Sequence, residues 1–125
     1  SILSMKPSVL IIDEPTTGLD WRECIRVMDL VKKLNEAGHT IIMTTHSMKL
    51  VALYAKRVVV LCAGEKILDG TVDEAFRNTE VLKCAYIKAP QVYRIMDAVP
   101  EIAVDNYDIQ HVADKIAAYL GKEGA

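Results

Sequence analysis

Two short apolar runs that flank one amphipathic segment constrain the fold of this chain more than any other feature. Val9-Leu10-Ile11-Ile12 is a continuous β-rich run, and residues 40–45 form a second one. Between them, apolar residues recur at steps of three and four, which predicts a helix over about residues 21–37. A strand, a helix and a strand at this spacing form a βαβ unit with parallel strands. The fold class is therefore α/β, and we expect the first strand to be buried on both faces.

Ionisable residues follow both runs directly. Asp13-Glu14 comes after the first run and His46 after the second. Because parallel strands present their carboxyl ends at one edge of the sheet, these three residues should lie together where open α/β sheets bind ligands. Charged groups at the end of a buried strand need a partner or a metal. In one interpretation Asp13 holds Mg²⁺ bound to nucleotide phosphates and Glu14 activates a water. In the alternative interpretation the pair only starts a turn before Pro15.

The second half of the chain changes from strand to helix signals. A short helix over residues 48–55 and a hairpin over residues 57–69 are predicted first. Thr71 with Glu74 then forms a capping-box pattern for another short helix. Beyond Asn78 only helical patterns remain, which predicts a sub-domain boundary there, with residues 1–78 on one side and 79–125 on the other. The last helix carries an apolar stripe that could pack inside the sub-domain or against a second subunit.

Composition limits the class of protein. Of 125 residues, 51% are hydrophobic and 26% are charged, as in a packed globular protein, and the net charge is −2. This balance does not favour nucleic acid or a membrane surface as the main partner. The longest apolar stretch is far shorter than the ~20 residues that span a bilayer, and the first seven residues do not resemble a signal peptide. We expect a soluble chain whose three cysteines, Cys24, Cys62 and Cys84, are reduced thiols.

The twelve residues from Val9 to Asp20 resemble the Walker B motif and D-loop of ATP-binding cassette (ABC) ATPases. His46 looks like the switch histidine of that family, because it follows an apolar strand at the expected distance. The resemblance covers about residues 1–78. It implies the C-terminal part of a P-loop NTPase, in which a parallel sheet with flanking helices precedes a small helical C-terminal sub-domain.

The resemblance implies a role for each matching residue. Asp13 would assist Mg²⁺, Glu14 would polarise the hydrolytic water, and His46 would contact the γ-phosphate of ATP. Asp20 would lie at the interface between two ATPase subunits, a role compatible with a helix N-cap. His39 and His111 match nothing in the motifs, and we expect both to be ordinary surface residues.

Two family motifs do not occur in this sequence. The phosphate loop, Gly-x-x-x-x-Gly-Lys-[Ser/Thr], is missing, because the one Gly-Lys pair has Ile116 at the position of the first glycine. The Leu-Ser-Gly-Gly signature is missing too, since no two glycines are adjacent. We therefore expect the chain to be the C-terminal part of a longer ATPase, inactive by itself.

The stretch Ala89-Pro90-Gln91-Val92 resembles the C-terminal extension of energy-coupling-factor and cobalt/nickel import ATPases. That branch implies an ATP-hydrolysing motor of a metal or vitamin importer, with a second ATPase subunit and integral membrane subunits as partners and no nucleic acid. It also implies a cytoplasmic location, peripheral on the inner face of the cell membrane. Two alternatives are a non-transport ABC ATPase of DNA repair or translation, and a non-catalytic dimerisation module. The joint presence of Asp13, Glu14 and His46 argues against the module.

Overall fold

The computed structural model describes residues 8–102 and 109–123. They form two compact units, which divide between Ser47 and Met48. In chain order the elements are β1 (Val9–Asp13), α1 (Trp21–Glu36), β2 (Thr40–Thr44), α2 (Met48–Tyr54), β3 (Val58–Cys62), β4 (Glu65–Gly70), α3 (Val72–Arg77), α4 (Thr79–Cys84), α5 (Gln91–Ala98) and α6 (Ile109–Glu123). No helix among these residues is both long enough and apolar enough to cross a membrane.

The first unit contains the predicted βαβ arrangement. β1 and β2 pair in parallel, with Val9 opposite Thr40 at one end and Asp13 opposite Thr44 at the other. Helix α1 connects them, and its N-cap is Asp20, whose carboxylate accepts a hydrogen bond from the Glu23 backbone N–H at 2.9 Å. This bond satisfies one of the amides that every helix leaves unpaired at its N-terminus. The prediction of a parallel strand pair joined by a helix is confirmed.

The prediction that β1 is buried on both faces is wrong for this chain. Exposure alternates along both strands, and Val9, Ile11 and Ile42 on one face are 47%, 75% and 51% exposed. Leu10 and Ile12, on the other face, are half-buried. A strand is covered on both faces only when separate elements pack on each of them. In the described part of this unit α1 is the single helix, so one face of the sheet lies open.

The second unit begins with α2 and an antiparallel hairpin of β3 and β4. Ala63 and Gly64, which connect the strands, both have positive φ, at 50° and 81°. Two consecutive left-handed residues match the right-handed twist of the strands that they join. After β4, Thr71 and Glu74 form the predicted capping box, with both reciprocal bonds present. A side chain at Gly70 would meet the Glu74 carboxylate, so a larger residue there would displace the Glu74 side chain from its present position in the box.

A hydrophobic core holds the second unit together. Its buried residues come from α3, α5, the segment after α5, and α6, namely Phe76, Val92, Tyr93, Met96, Ile102 and Val112. The rings of Phe76 and Tyr93 pack edge to face with their centroids 5.0 Å apart. Ile116 and Tyr119 of α6 pack against the same cluster, whereas Leu120 is 59% exposed. The apolar stripe of the last helix therefore packs inside this unit along part of its length.

The structure shows the surroundings of Asn78, the predicted boundary residue, and of His39 and His111. Asn78 ends α3 and caps α4, accepting a bond from the Val81 N–H at 3.2 Å, so it lies inside the second unit. A division into residues 1–78 and 79–125 stays a prediction. His39 and His111 are both half-buried, and the Nε2 atom of His111 is shielded from solvent, so the expectation of an ordinary surface histidine is wrong for His111.

The expectation of three reduced thiols is also wrong. Cys62 at the end of β3 and Cys84 at the end of α4 form a disulfide, with their Cα atoms 6.3 Å apart. Cys24 is buried and free. The two bonded residues are 22 positions apart in the chain, so no local pattern reveals that the hairpin and α4 bring them together.

Candidate functional site

The carboxyl ends of β1 and β2 bring Asp13 and Thr44 side by side. Asp13 is the last residue of β1, and its register partner is Thr44, the last residue of β2. The Thr44 hydroxyl donates a hydrogen bond to Oδ1 of Asp13. A hydrogen bond to an ionised group is roughly twice as strong as a bond between neutral groups. The neighbouring strand therefore fixes the orientation of this carboxylate.

Glu14 leaves the strand direction immediately after Asp13. Its φ is +45°, in the left-handed region that non-glycine residues rarely adopt. The Glu14 N–H is directed at Thr44, 3.1 Å from its carbonyl oxygen and 3.2 Å from its hydroxyl oxygen. Such backbone conformations persist only where the surroundings enforce them, and they cluster at functional sites. Here Thr44 holds the amide while the left-handed turn redirects the side chain.

The Glu14 carboxylate is held from two sides. Its Oε1 lies 3.2 Å from Nε2 of His46, and its Oε2 accepts a hydrogen bond from the Thr17 hydroxyl at 3.4 Å. The His46 side chain is 98% exposed, whereas that of Glu14 is 29% exposed. The imidazole is thus open to a ligand on its outer side while it contacts a carboxylate whose orientation is restricted.

The turn after Glu14 is held by its own backbone and by one sulfur. The Thr17 N–H bonds to the Glu14 carbonyl at 3.3 Å, and the Leu19 N–H bonds to the Thr16 carbonyl at 3.2 Å. The Cys24 Sγ lies 3.7 Å from the carbonyl oxygens of both Thr16 and Leu19. These contacts anchor the turn to α1, which starts with Asp20 as its N-cap.

The structure thus brings together three of the four predicted site residues. Asp13, Glu14 and His46 lie at one edge of the sheet, and Asp20 occupies the far end of the turn. Thr44 and Thr17 also belong to the site, although nothing in the sequence pattern distinguishes them. Thr44 belongs to an apolar run, and only the strand register shows that its hydroxyl reaches Asp13.

One carboxylate at this edge of the sheet is available to a metal ion. Among residues 8–102 and 109–123, no group of three or more His, Cys, Asp or Glu side chains could hold an ion by itself. Asp13 offers one exposed carboxylate. Mg²⁺ is commonly held by one or two carboxylates, with water and phosphate oxygens completing its shell. A single exposed carboxylate of this kind is compatible with Mg²⁺ whose remaining ligands are water and phosphate oxygens.

Comparison with known proteins gives consistent matches. Residues 1–52 match the family model described as "AAA domain, putative AbiEii toxin, Type IV TA system". The chain is 50% identical over 92 residues to a protein of Caldanaerobacter subterraneus subsp. tengcongensis named "Putative ABC transporter ATP-binding protein", covering 74% of this chain and 16% of the relative. It is 39% identical to the energy-coupling factor transporter ATP-binding protein EcfA of Methanosphaera stadtmanae, covering 97% of this chain and 45% of the relative.

A solved structure has the same fold over most of the chain. It is cbiO1 of Clostridium perfringens, part of the ABC transporter complex cbiONQ, with a TM-score of 0.55 and 39% identity. The match covers 77% of this chain and 39% of cbiO1. The chain thus spans less than half the length of each of these relatives. By sequence and by fold, the chain is similar to part of the ABC transporter ATP-binding proteins.

Proposed function

We propose that the protein to which this chain belongs is the ATP-hydrolysing motor subunit of an ABC importer, of the energy-coupling-factor or metal and vitamin type. The observation that carries the proposal is the contact of Glu14 with His46, 3.2 Å apart at the carboxyl edge of a parallel strand pair. The relatives named EcfA and cbiO1 support the choice of branch. They also favour transport over a role in DNA repair or translation.

In this proposal Glu14 acts as the general base. A base must lie within hydrogen-bond reach of the proton that it removes, and its carboxylate must be held in one orientation. Contacts with His46 on Oε1 and Thr17 on Oε2 restrict the carboxylate of Glu14 in this way. The exposed imidazole of His46 would donate to the γ-phosphate of ATP and thereby align the phosphoryl group with the water.

Asp13 would hold Mg²⁺ in this proposal, with the Thr44 hydroxyl orienting its carboxylate. When bound, Mg²⁺ would neutralise charge on the phosphate oxygens of ATP. Asp20 would face a second ATPase subunit, and integral membrane subunits would carry the cargo. Such partners would place the protein on the cytoplasmic side of a membrane. Because the sequence contains no phosphate loop, titration of Mg-ATP into this chain alone should give no binding heat at micromolar ATP.

Replacing Glu14 by Gln in the full-length protein tests the proposal. The amide retains the shape of the side chain but cannot accept a proton, so ATP turnover should fall by about 10²–10⁴-fold. ATP affinity, measured separately by equilibrium binding, should change little. Glu36→Gln, at the exposed end of α1, is the matched control and should leave turnover unchanged. Unchanged turnover in the Glu14→Gln protein would show that another group is the base.

A further inference from the structure

We propose that Cys62 and Cys84 form a reversible redox site, which low-molecular-weight disulfides oxidise and dithiols reduce. The site lies wholly within the second unit. Cys62 ends β3 and Cys84 ends α4, so the bond ties this helix to the hairpin. The Cα–Cα distance of 6.3 Å lies within the range that a disulfide bridges without movement of the backbone.

Contacts that do not involve sulfur hold α4 in place. Its N-terminus is capped by Asn78, and Val81 on its inner face is only 7% exposed. Beyond its last residue, the Ile87 N–H donates to the Leu82 carbonyl at 2.8 Å. These interactions remain when the disulfide opens. The two sulfurs should therefore stay close in the reduced protein, which allows the bond to form again without refolding.

A hydrogen-bond acceptor for the reduced state lies beside the sulfur pair. In the reduced protein the Cys62 thiol can donate a hydrogen bond to the Cys84 carbonyl oxygen, which lies 3.0 Å from its sulfur. Cys84 is exposed and Cys62 is half-buried, so an external reagent reaches Cys84 first. Thiol–disulfide exchange requires this access as well as a second thiol within reach.

The exchange proceeds in two balanced steps. The Cys84 thiolate attacks one sulfur of an external disulfide RSSR, forms a mixed disulfide, and releases the first RS⁻. The Cys62 thiolate then attacks the Cys84 sulfur, closes the intramolecular bond and releases the second RS⁻. The two cysteines lose two electrons and RSSR gains them, while the two thiol protons end on two RSH molecules.

Cys24 provides an internal contrast. It is 8% exposed, and its sulfur lies 3.7 Å from two backbone carbonyls in the first unit. Disulfide exchange requires access to the sulfur, so this buried thiol should not react with external disulfides while the protein is folded. Of the three cysteines, only the pair should respond to the redox potential of the solution.

The test uses purified protein equilibrated in buffers with a series of ratios of reduced to oxidised glutathione. Each sample is then acid-quenched, alkylated and digested, and the alkylation of each cysteine is read by mass spectrometry. We expect Cys62 and Cys84 to lose alkylation together and to appear as one cross-linked peptide, while Cys24 stays alkylated throughout. Dithiothreitol should restore both thiols, with an unchanged circular dichroism spectrum in both states.

Two variants and one stability measurement complete the test. Cys84→Ser should abolish the cross-link. Cys24→Ser should not change the ratio of reduced to oxidised glutathione at which Cys62 and Cys84 become cross-linked. Oxidation should raise the melting temperature by on the order of 10 °C, because the closed loop restricts the unfolded chain. The proposal is wrong if Cys62 and Cys84 stay alkylated when oxidised glutathione is in excess, or if each carries glutathione without the cross-link. It is also wrong if reduction unfolds the protein.

Discussion

The two units of this chain differ in where their apolar surface lies. In the first unit, Ile11 and Ile42 stand on an open sheet face, 75% and 51% exposed, beside the strand ends that carry Asp13. In the second unit, six buried apolar side chains form one cluster, in which Phe76 and Tyr93 are 5% and 3% exposed, while Leu61 outside it is 65% exposed. The candidate chemistry lies in the unit with the open face, and the larger core lies in the other.

This difference shows that an apolar segment of the sequence is not always buried by the unit to which it belongs. The cluster around Phe76 is buried by elements of its own unit, so its apolar residues contribute directly to stability. The open face of β1 and β2 carries the β-branched residues Val9, Ile11 and Ile42, which are 47%, 75% and 51% exposed. These residues suit a parallel sheet that is covered on both faces. While their face is exposed, they contribute little to the free energy of unfolding.

The largest expected effect sharpens this contrast. Phe76→Ala should lower the free energy of unfolding by about 3–5 kcal/mol, because it removes a buried ring and leaves a cavity. Ile11→Thr retains a β-branched side chain on the open face and should change the free energy of unfolding by less than about 0.5 kcal/mol. Urea denaturation of this chain, followed by circular dichroism, measures both values. Equal losses in the two variants would mean that the open face is covered in solution.

A smaller effect concerns the edge of the first unit. Removing a hydrogen bond to a charged group costs about 1.5–3 kcal/mol, so Thr44→Val should lower ATP turnover of the full-length protein roughly 10- to 100-fold. It should also raise the Mg²⁺ concentration needed for half-maximal turnover, because Asp13 is no longer oriented. Thr44→Ser keeps the hydroxyl and should restore most of the activity.

Thr40→Val is the control for that experiment, since Thr40 lies on the same strand at the far end of the register. It should leave turnover and Mg²⁺ dependence unchanged. If Ser and Val at position 44 reduced turnover equally, the methyl group and not the hydroxyl would be the important feature. Thr44 would then contribute packing to the strand pair and would not position Asp13.

The smallest effect lies in the hairpin of the second unit. The Arg57 guanidinium donates two hydrogen bonds of 2.7 Å to Asp69, and these lower the pKa of that carboxyl from 3.8 to about 2. A lowered pKa stabilises the folded state above about pH 4, and that contribution disappears as the pH falls through about 2. Because the pair is solvent-exposed, the change in stability should be slight.

Titration of the Asp69 carboxyl by NMR measures this effect. Arg57→Gln should return the pKa of Asp69 toward its usual range, whereas Lys66→Gln should change it less, because Lys66 lies 3.6 Å away and is a lesser cause. An unchanged pKa in the Arg57→Gln protein would contradict the assignment of the cause. A larger change from Lys66→Gln would reverse the order of the two partners.

Local patterns were sufficient to predict much of the architecture. The strand and helix runs, the Asp20 cap and the Thr71–Glu74 box depend on residues within a few positions of each other, so the sequence alone indicates them. Parallel pairing then predicted that Asp13, Glu14 and His46 lie together. That prediction needed only the rule that parallel strands end on one side.

Contacts between residues that are far apart in the sequence cannot be predicted from local patterns. The bond from Thr44 to Asp13 depends on a register in which residues 31 positions apart become partners. The Cys62–Cys84 bond depends on where α4 packs in its unit, which spacing does not reveal. The open face was missed for another reason. An apolar run indicates that its residues favour a buried environment. Whether they are buried depends on which other elements are present to cover the strand.

Because the backbone of Glu14 is left-handed, selection for stability and selection for ATP turnover should favour different residues at this position. Glycine adopts this conformation without the steric cost of roughly 1–2 kcal/mol that a side chain incurs. A library of variants selected only for resistance to heat should therefore favour glycine at this position, although glycine has no carboxylate. A library selected for ATP turnover should retain glutamate despite its cost. The residue found in nature would then record which pressure was stronger.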